Sequence, residues 1–413
     1  MEEQTSSILI VGSGLFGLST AWALARRPSF RSALITVVDQ SGGQFPPPDA
    51  ASVDSSRIIR ADYADPDYTE LATTAQAEWR KQGDDELGGQ GRYSESGLVL
   101  TADAPTDDKF GPMGYAKKSW ENVVAYAAAK GYPASRVRTL ETSKAVKDHL
   151  GIRGHAGDWG YANTFSGWAD AGKGMEWLLE RVKATERVRF VDAKVVRLET
   201  EGNRVVGARL SHGDVLRADL VIVAAGAWTG ELIDLRGQVE ATGQVLGYVD
   251  ISDAELAELA KQPVVLHMTS GLFVIPPREK VLKVARHSYG YQNPQTVADA
   301  LPPSPADERK CAEGPDAGRG PAHATLEGDE DLLGLFVATG DSGHAYKFLP
   351  VLGDKVVDCM SGNGGKLGRK WRWKAAGGEP GRLVTKDGSR GGASGILAEE
   401  LEKTRSEIRA KLA

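Results

Sequence analysis

The sequence predicts an α/β chain in which a Rossmann-like domain is interleaved with a second, α+β domain built on an antiparallel sheet. Three observations predict it. Near the N-terminus an apolar run, Ile8-Leu9-Ile10-Val11, passes into Gly12-Ser13-Gly14-Leu15-Phe16-Gly17, then a helical stretch, then a second apolar run at 35–38 that ends in Asp39. Strand-like segments recur in pairs further on, around Gly202-Asn203 and between 264 and 286. Two later runs, 220–225 and 332–338, are apolar enough to be buried strands.

The elements follow in order. Residues 8–11, 18–25 and 35–38 read as strand, helix and strand, and 42–49 as a Gly/Pro loop. Residues 55–63 mix apolar side chains with Arg57 and Arg60. Leu71, Ala75 and Trp79, four apart, predict an amphipathic helix over 68–82. Residues 97–101 read as a strand, and 119–130 and 141–149 as helices. The stretch 168–185 reads as a helix with Met175, Leu178, Leu179 and Val182 on one face. Segments 187–200 and 205–210 read as a hairpin, and 264–275 with 280–286 as a second antiparallel pair. Residues 302–327, rich in Pro, Gly, Ala, Asp and Glu, read as loop. From 366 the chain is basic and glycine-rich, and it ends in a charged helix over 398–412.

Composition narrows the function. The 413 residues suffice for two domains, with 41% hydrophobic and 26% charged residues as in ordinary globular chains. A net charge of -6 argues against nucleic acid as a partner. No run of eighteen apolar residues suggests a membrane span. Two cysteines, Cys311 and Cys359, make no disulfide framework, so a reducing compartment such as the cytoplasm is expected. Ala410-Lys411-Leu412-Ala413 is close to a peroxisomal tripeptide but displaced by one residue, so Ala413 is expected to spoil it. No metal-binding spacing stands out.

The N-terminal pattern carries the chemistry. Gly12 permits a tight turn, Gly14 lets a pyrophosphate approach the backbone, and Gly17 lets the helix pack on the strand. Asp39, 22 residues past Gly17, is placed to accept from ribose hydroxyls. The small residues that close 219–228, Ala224 to Trp228, suit a strand passing near a cofactor; the alternative is a plain core strand. Thr339-Gly340-Asp341-Ser342-Gly343-His344 follows another strand and offers backbone N–H groups to an anion or carbonyl. Such a distal turn favours FAD over NAD.

Gly12-x-Gly14-x-x-Gly17, Ser56-Arg57-Ile58-Ile59-Arg60, Ala225-Gly226-Ala227-Trp228 and Ser342-Gly343-His344-Ala345-Tyr346-Lys347 resemble the monomeric sarcosine oxidase family of FAD amine oxidases. Phe45 to Asp54, Gly167 to Lys173, Trp371-Arg372-Trp373 and Gly388 to Gly392 are similar to its fungal saccharopine, pipecolate and fructosyl amino acid oxidase branch. The resemblance covers residues 6–300 and 330–395.

It implies a glutathione-reductase-type FAD-binding domain over 1–92, 160–230 and 331–365, and a substrate domain over 93–159 and 231–300. Residues 301–330 become a linker and 366–413 a tail. It further implies a monomer that oxidises the C–N bond of a secondary amine or N-substituted amino acid to an imine, with molecular oxygen as acceptor and hydrogen peroxide as product. Cofactor contacts fall on Gly12, Gly14, Leu15, Phe16, Gly17, Asp39, Gln40, Ser56, Arg57, Val195, Ala225, Gly226, Trp228, Asp341, Ser342, Gly343, His344 and Lys347. Arg60 and Lys347 match a clamp for the substrate carboxylate, and Arg57 matches an arginine against the flavin ring. Lys283, in an apolar strand before His287, matches the fixed cation that assists oxygen. The blander readings are a solvated helix face for Arg57 and Arg60, a turn lysine at Lys347, an outward edge-strand lysine at Lys283 and an ordinary strand valine at Val195. Residues 93–97, 246–249 and 267–272 are expected to line the substrate pocket.

The pattern breaks in one place. The family carries a Cys-aromatic-Tyr-Thr segment before its last flavin strand, and that segment is absent between Pro302 and Glu330. Cys311 lacks its context, so FAD is expected to be noncovalent, and Cys359 reads as core. The loss leaves apolar surface of neighbouring strands uncovered. Two alternatives therefore accompany the oxidase: a flavin-binding paralogue or truncated form with little activity, and an NAD(P)H-dependent flavin monooxygenase. The His344-x-x-Lys347 spacing speaks against the last.

Overall fold

A computed structural model describes residues 5–105, 111–235, 238–295, 297, 322–324, 333–340, 342–372, 389–390 and 394–412. Its first sheet has six strands in the order Ala322–Ala324, Leu335–Thr339, Leu220–Val223, Ser7–Val11, Leu34–Asp39 and Val188–Asp192. All neighbours run parallel except the edge strand Ala322–Ala324. These strands are nearly continuous apolar runs because both faces are covered. On one face Ile8, Ile10, Ile35 and Ile222 pack against helices Leu15–Arg26, Ala171–Lys183 and Leu349–Met360. On the other, Leu9, Val11, Val38 and Val221 meet Leu198, Val205, Ala208 and Leu210 of a small three-stranded sheet. Gly353 lets two helices touch, since a Cβ there would collide with the Ser19 carbonyl.

The second large sheet has seven strands in the order Leu246–Asp250, Val281–Arg286, Leu272–Ile275, Val264–His267, Leu98–Ala102, Trp159–Asn163 and Val137–Leu140. It is antiparallel except where Val264–His267 runs parallel to Leu98–Ala102. Helix Pro112–Ala129 covers one face through Met113, Tyr115, Ala116, Val123 and Ala127. Helix Ser143–Leu150 covers the other through Val146 and Leu150, against Val99 and Ala162.

Several expectations change in detail. The helix expected over 168–185 begins at Ala171, because Gly167–Ala169 is a strand and the Asp170 side chain caps the helix from the Lys173 amide. The helix expected over 68–82 is Pro66–Trp79, started by the Asp65 cap and Pro66. Residues 187–200 are not one hairpin arm. Val188–Asp192 joins the parallel sheet, and only Val195–Glu201 pairs with Arg204–Leu210. Residues 264–286 hold three strands instead of two. Arg57 starts a short strand, Arg57–Ile59, not a helix. Ala322–Ala324 is a strand within the stretch expected to be loop. Cys359 is free and buried in a helix, as its apolar setting implies, whereas Cys311 lies outside the described residues. Among the described residues no helix is long and apolar enough to cross a membrane.

Candidate functional site

The end of strand Ser7–Val11 opens directly onto a cavity of about 1420 Å³. Gly12 sits at φ 105°, where a side chain is strained, and an added Cβ would strike the Ala224 carbonyl. Gly17 has no room either, because a Cβ would meet the Gly12 carbonyl. At Gly14 only Ser52 Oγ lies near, 3.9 Å from an added Cβ. The helix Leu15–Arg26 starts there with no side-chain cap, so its first N–H groups are left for an anion. Asp39 closes the second strand and lines the cavity. Its Oδ2 accepts from Ser13 N at 2.6 Å and Ser13 Oγ at 2.8 Å, which fixes the carboxylate. Cradle, bare helix end and anchored acid fit the diphosphate and ribose of a dinucleotide.

Most of the expected cofactor residues come together on this wall: Gly12, Gly14, Leu15, Phe16, Asp39, Gln40, Arg57, Val195, Ala225, Gly226, Trp228, Ser342 and Gly343 line the cavity. Gly17 lies under the turn. Ser342, at φ 51°, and Gly343, at φ 69°, form the strained turn after strand Leu335–Thr339. Asp341 lies outside the described residues.

Lys283 reaches the same cavity from the other sheet. Its strand, Val281–Arg286, is flanked on both sides by others, so this is not an edge lysine pointing to solvent. The residue is 4% exposed. Its Nζ donates to Asp54 Oδ2 at 2.5 Å and to the Ser56 carbonyl at 2.9 Å. Asp54 is the hub here. It also pairs with Arg57 and accepts from Tyr248 Oη at 2.7 Å. Burial, and then the Arg57 guanidinium, push the Lys283 pKa down to about 7. The Asp54 carboxylate opposes both.

The two clamp candidates lie one layer behind the cavity wall. Arg60 is buried and stands over the Tyr63 ring at 4.9 Å, and Lys347 stands over the same ring at 5.4 Å. Lys347 Nζ donates to the His344 carbonyl at 2.7 Å. Burial alone would lower the Arg60 pKa, but Tyr115, Tyr63 and Asp62 raise it, so the guanidinium stays charged. Its Nη1 has no hydrogen-bond partner among the described residues. His344 Nδ1 lies 2.8 Å from Tyr63 Oη. Burial, followed by Lys347 and Arg390, holds His344 neutral, and burial with Arg390, Arg60 and Lys347 does the same to His287.

Arg390 was missed as a site residue, though its motif stood out. It lines the cavity beside Gly343 and donates to the Ser288 carbonyl at 3.2 Å. Asp54, Tyr63 and His287 were missed as well, and Asp54, one of two acids in a Pro/Ser-rich loop with Asp49, carried no signal that set it apart. Of the segments expected to line the substrate pocket, Leu246 does so, while residues 93–97 and 267–272 do not.

Comparison with known proteins adds an independent line. The description FAD dependent oxidoreductase matches residues 7–359. An amino acid oxidase of Aspergillus flavus, imqH, is 31% identical over 460 residues, covering 88% of this chain and 94% of that protein. L-saccharopine oxidase of Schizosaccharomyces pombe is 26% identical over 427 residues, covering 89% and 93%. The imqH alignment is longer than this chain's 413 residues, so that relative holds residues that this chain lacks. Among solved structures, a thermally stable fructosyl peptide oxidase mutant superposes with a TM-score of 0.72 at 20% identity, covering 96% of this chain and 98% of that one. Amadoriase I of Aspergillus fumigatus superposes at 0.67 with 22% identity, covering 91% of each chain. The fold of this chain is theirs.

Proposed function

The chain belongs to the FAD dependent oxidoreductase family, and from that premise we propose that it oxidises the C–N bond of a secondary amine or N-substituted amino acid to an imine, with molecular oxygen as acceptor and hydrogen peroxide as product. One observation carries this reading: a single cavity joins the Gly12–Gly14 turn and Asp39 to Arg57, Lys283, His287 and Arg390. An amino acid oxidase and an L-saccharopine oxidase among the relatives support an amino-acid-derived substrate.

The chemistry supplied by bound FAD is two-electron: uptake of a hydride from the carbon next to nitrogen and return of the electrons to oxygen. The chain's own residues bind and orient. The N–H groups after Gly14 take the diphosphate, and Asp39 takes the ribose. Cys311 lacks the Cys-aromatic-Tyr-Thr context of a flavin-linked cysteine, which supports noncovalent binding. Arg60, Lys347 and Arg390 concentrate positive charge where two neutral imidazoles add none, which suits a substrate carboxylate. Lys283, held by Asp54 and Ser56, would supply, in its protonated form, the cation that stabilises charge developing on oxygen. Water then hydrolyses the imine.

A second reading, a flavin-binding paralogue with little turnover, is favoured by the residues that imqH holds and this chain lacks. One experiment separates them. The purified protein is acid-precipitated, the visible spectrum of each fraction recorded, and an amine panel assayed for peroxide. The oxidase reading expects flavin in the supernatant and peroxide with at least one secondary amine. Flavin without peroxide supports the paralogue, NADPH consumption supports the monooxygenase, and a colourless protein overturns all three.

A further inference from the structure

One cluster of ligating side chains lies outside the cavity. Asp103 follows directly on strand Leu98–Ala102, and His267 closes strand Val264–His267, which runs parallel to it. His155 precedes strand Trp159–Asn163, the antiparallel neighbour on the other side. The topology therefore delivers all three to one end of the central strand. Their ligand atoms lie within 4.8 Å of one another. His155 Nε2 is 2.7 Å and His267 Nε2 3.2 Å from the same oxygen, Asp103 Oδ1.

We propose that Asp103, His155 and His267 bind a divalent transition-metal cation of the zinc class. Two imidazoles and one carboxylate are the borderline ligand set that zinc, cobalt and nickel prefer. Bonds of about 2.0–2.2 Å in a tetrahedron place neighbouring ligand atoms about 3.4 Å apart; the two Nε2–Oδ1 separations, 2.7 and 3.2 Å, fall short of it, so the exposed His155 ring has to move outward as an ion enters. Each ligand is held from behind. His267 Nδ1 lies 2.7 Å from Ser270 Oγ, His155 Nδ1 lies 3.5 Å from Ser143 Oγ, and the Asp103 amide donates to Thr269 Oγ1 at 2.9 Å. Both rings thereby present Nε2 to the centre.

The surroundings of His267 suit a ligand. His267 Nε2 is buried, and Asp103 Oδ1, 3.2 Å away, is the group it faces. Ser270 Oγ, which already accepts from the Leu272 amide, can also accept a hydrogen from Nδ1. With its hydrogen on Nδ1, the ring offers Nε2 as the lone pair that a metal ion needs, on the side that faces Asp103 and His155. His155 is 53% exposed at its side chain, so an ion has access and the ring has freedom to adjust. Three protein ligands leave one position for water.

The test uses tag-free full-length protein freed of metal with a chelator. Zinc is titrated calorimetrically, and cobalt is followed by its visible absorption. The expected result is one equivalent of zinc with a dissociation constant in the micromolar range and a tetrahedral cobalt spectrum. Asp103→Asn, His267→Gln and the exposed His155→Gln should each weaken zinc at least tenfold. His212→Gln, a histidine paired with Asp214 away from this cluster, should change nothing. Circular dichroism establishes that each variant is folded, and His155→Gln serves if His267→Gln is not. No zinc uptake at 100 μM free metal (a level about 100-fold above a micromolar constant), or equal uptake by wild type and the cluster variants, overturns the proposal.

Discussion

At the scale of single residues, the balance of charge around Asp54 decides what Lys283 can do. Two cations, Lys283 and Arg57, share this one carboxylate. Burial and Arg57 bring the Lys283 pKa down to about 7, and removing the carboxylate takes away the opposite charge to which Lys283 is bonded, which moves the pKa further down. A lysine is charged only below its pKa, so Asp54→Asn should move the pH range of oxygen-dependent turnover to the acid side. At pH 7.5 the rate should fall by about 10- to 100-fold, on the scale of one lost charge-stabilising donor. Lys283→Met should show the same loss without the pH shift. Peroxide formation across pH 5–9, beside turnover with an artificial dye as acceptor, checks this; an unmoved profile in Asp54→Asn sinks the coupling. Arg57 and Lys283 were legible because each sits in a motif with apolar neighbours. Asp54 was not, because its lysine partner is 229 positions away.

At the scale of elements, the N-terminal strand is tied to its neighbour by one acid. Asp219 Oδ2 accepts from Ser6 Oγ at 2.6 Å, from the Ser6 and Ser7 amides, each at 2.9 Å, and from Ser7 Oγ at 3.0 Å. These bonds, the Ser6 hydroxyl foremost, hold its pKa down to about 2. The unfolded chain, with an ordinary value of about 3.9, binds the proton first as pH falls. The stabilisation is therefore complete above about pH 5 and is lost progressively between about pH 5 and pH 1. Asp219→Asn should lower the urea midpoint at pH 7, and the gap to wild type should shrink by more than half by about pH 2.5. A gap that stays constant with pH shows that the hydrogen bonds carry no linkage. Individual strands were easy to read and their partners were not. Residues 188–192 and 195–201 share one alternating pattern, yet the first lies parallel to Leu34–Asp39 and the second folds back as a hairpin. Alternation reports which faces are buried, and register and partner depend on what is packed against them.

For the whole molecule, the cavity matters because its walls belong to both sheets. Val11, Val38 and Thr339 stand on the parallel sheet, and Leu246, Phe273 and Lys283 on the antiparallel one. A dinucleotide seated there braces two bodies that were interleaved in sequence and only jointly complete the site. Binding to the folded state alone adds about 2.7 kcal/mol at 100 times the dissociation constant, enough to raise a melting midpoint by a few degrees. Gly14 makes the test specific. Its φ of -68° suits any residue, and an added Cβ meets no protein atom closer than Ser52 Oγ at 3.9 Å. Gly14→Val should thus melt like the wild type without FAD while blocking the approach of the diphosphate. Thermal unfolding with and without FAD checks this: the wild-type midpoint should rise and that of Gly14→Val should stay. A shift in both would mean that the flavin binds elsewhere. A lower midpoint for ligand-free Gly14→Val would mean that the glycine serves the turn, as Gly12 and Gly17 do, and not the ligand.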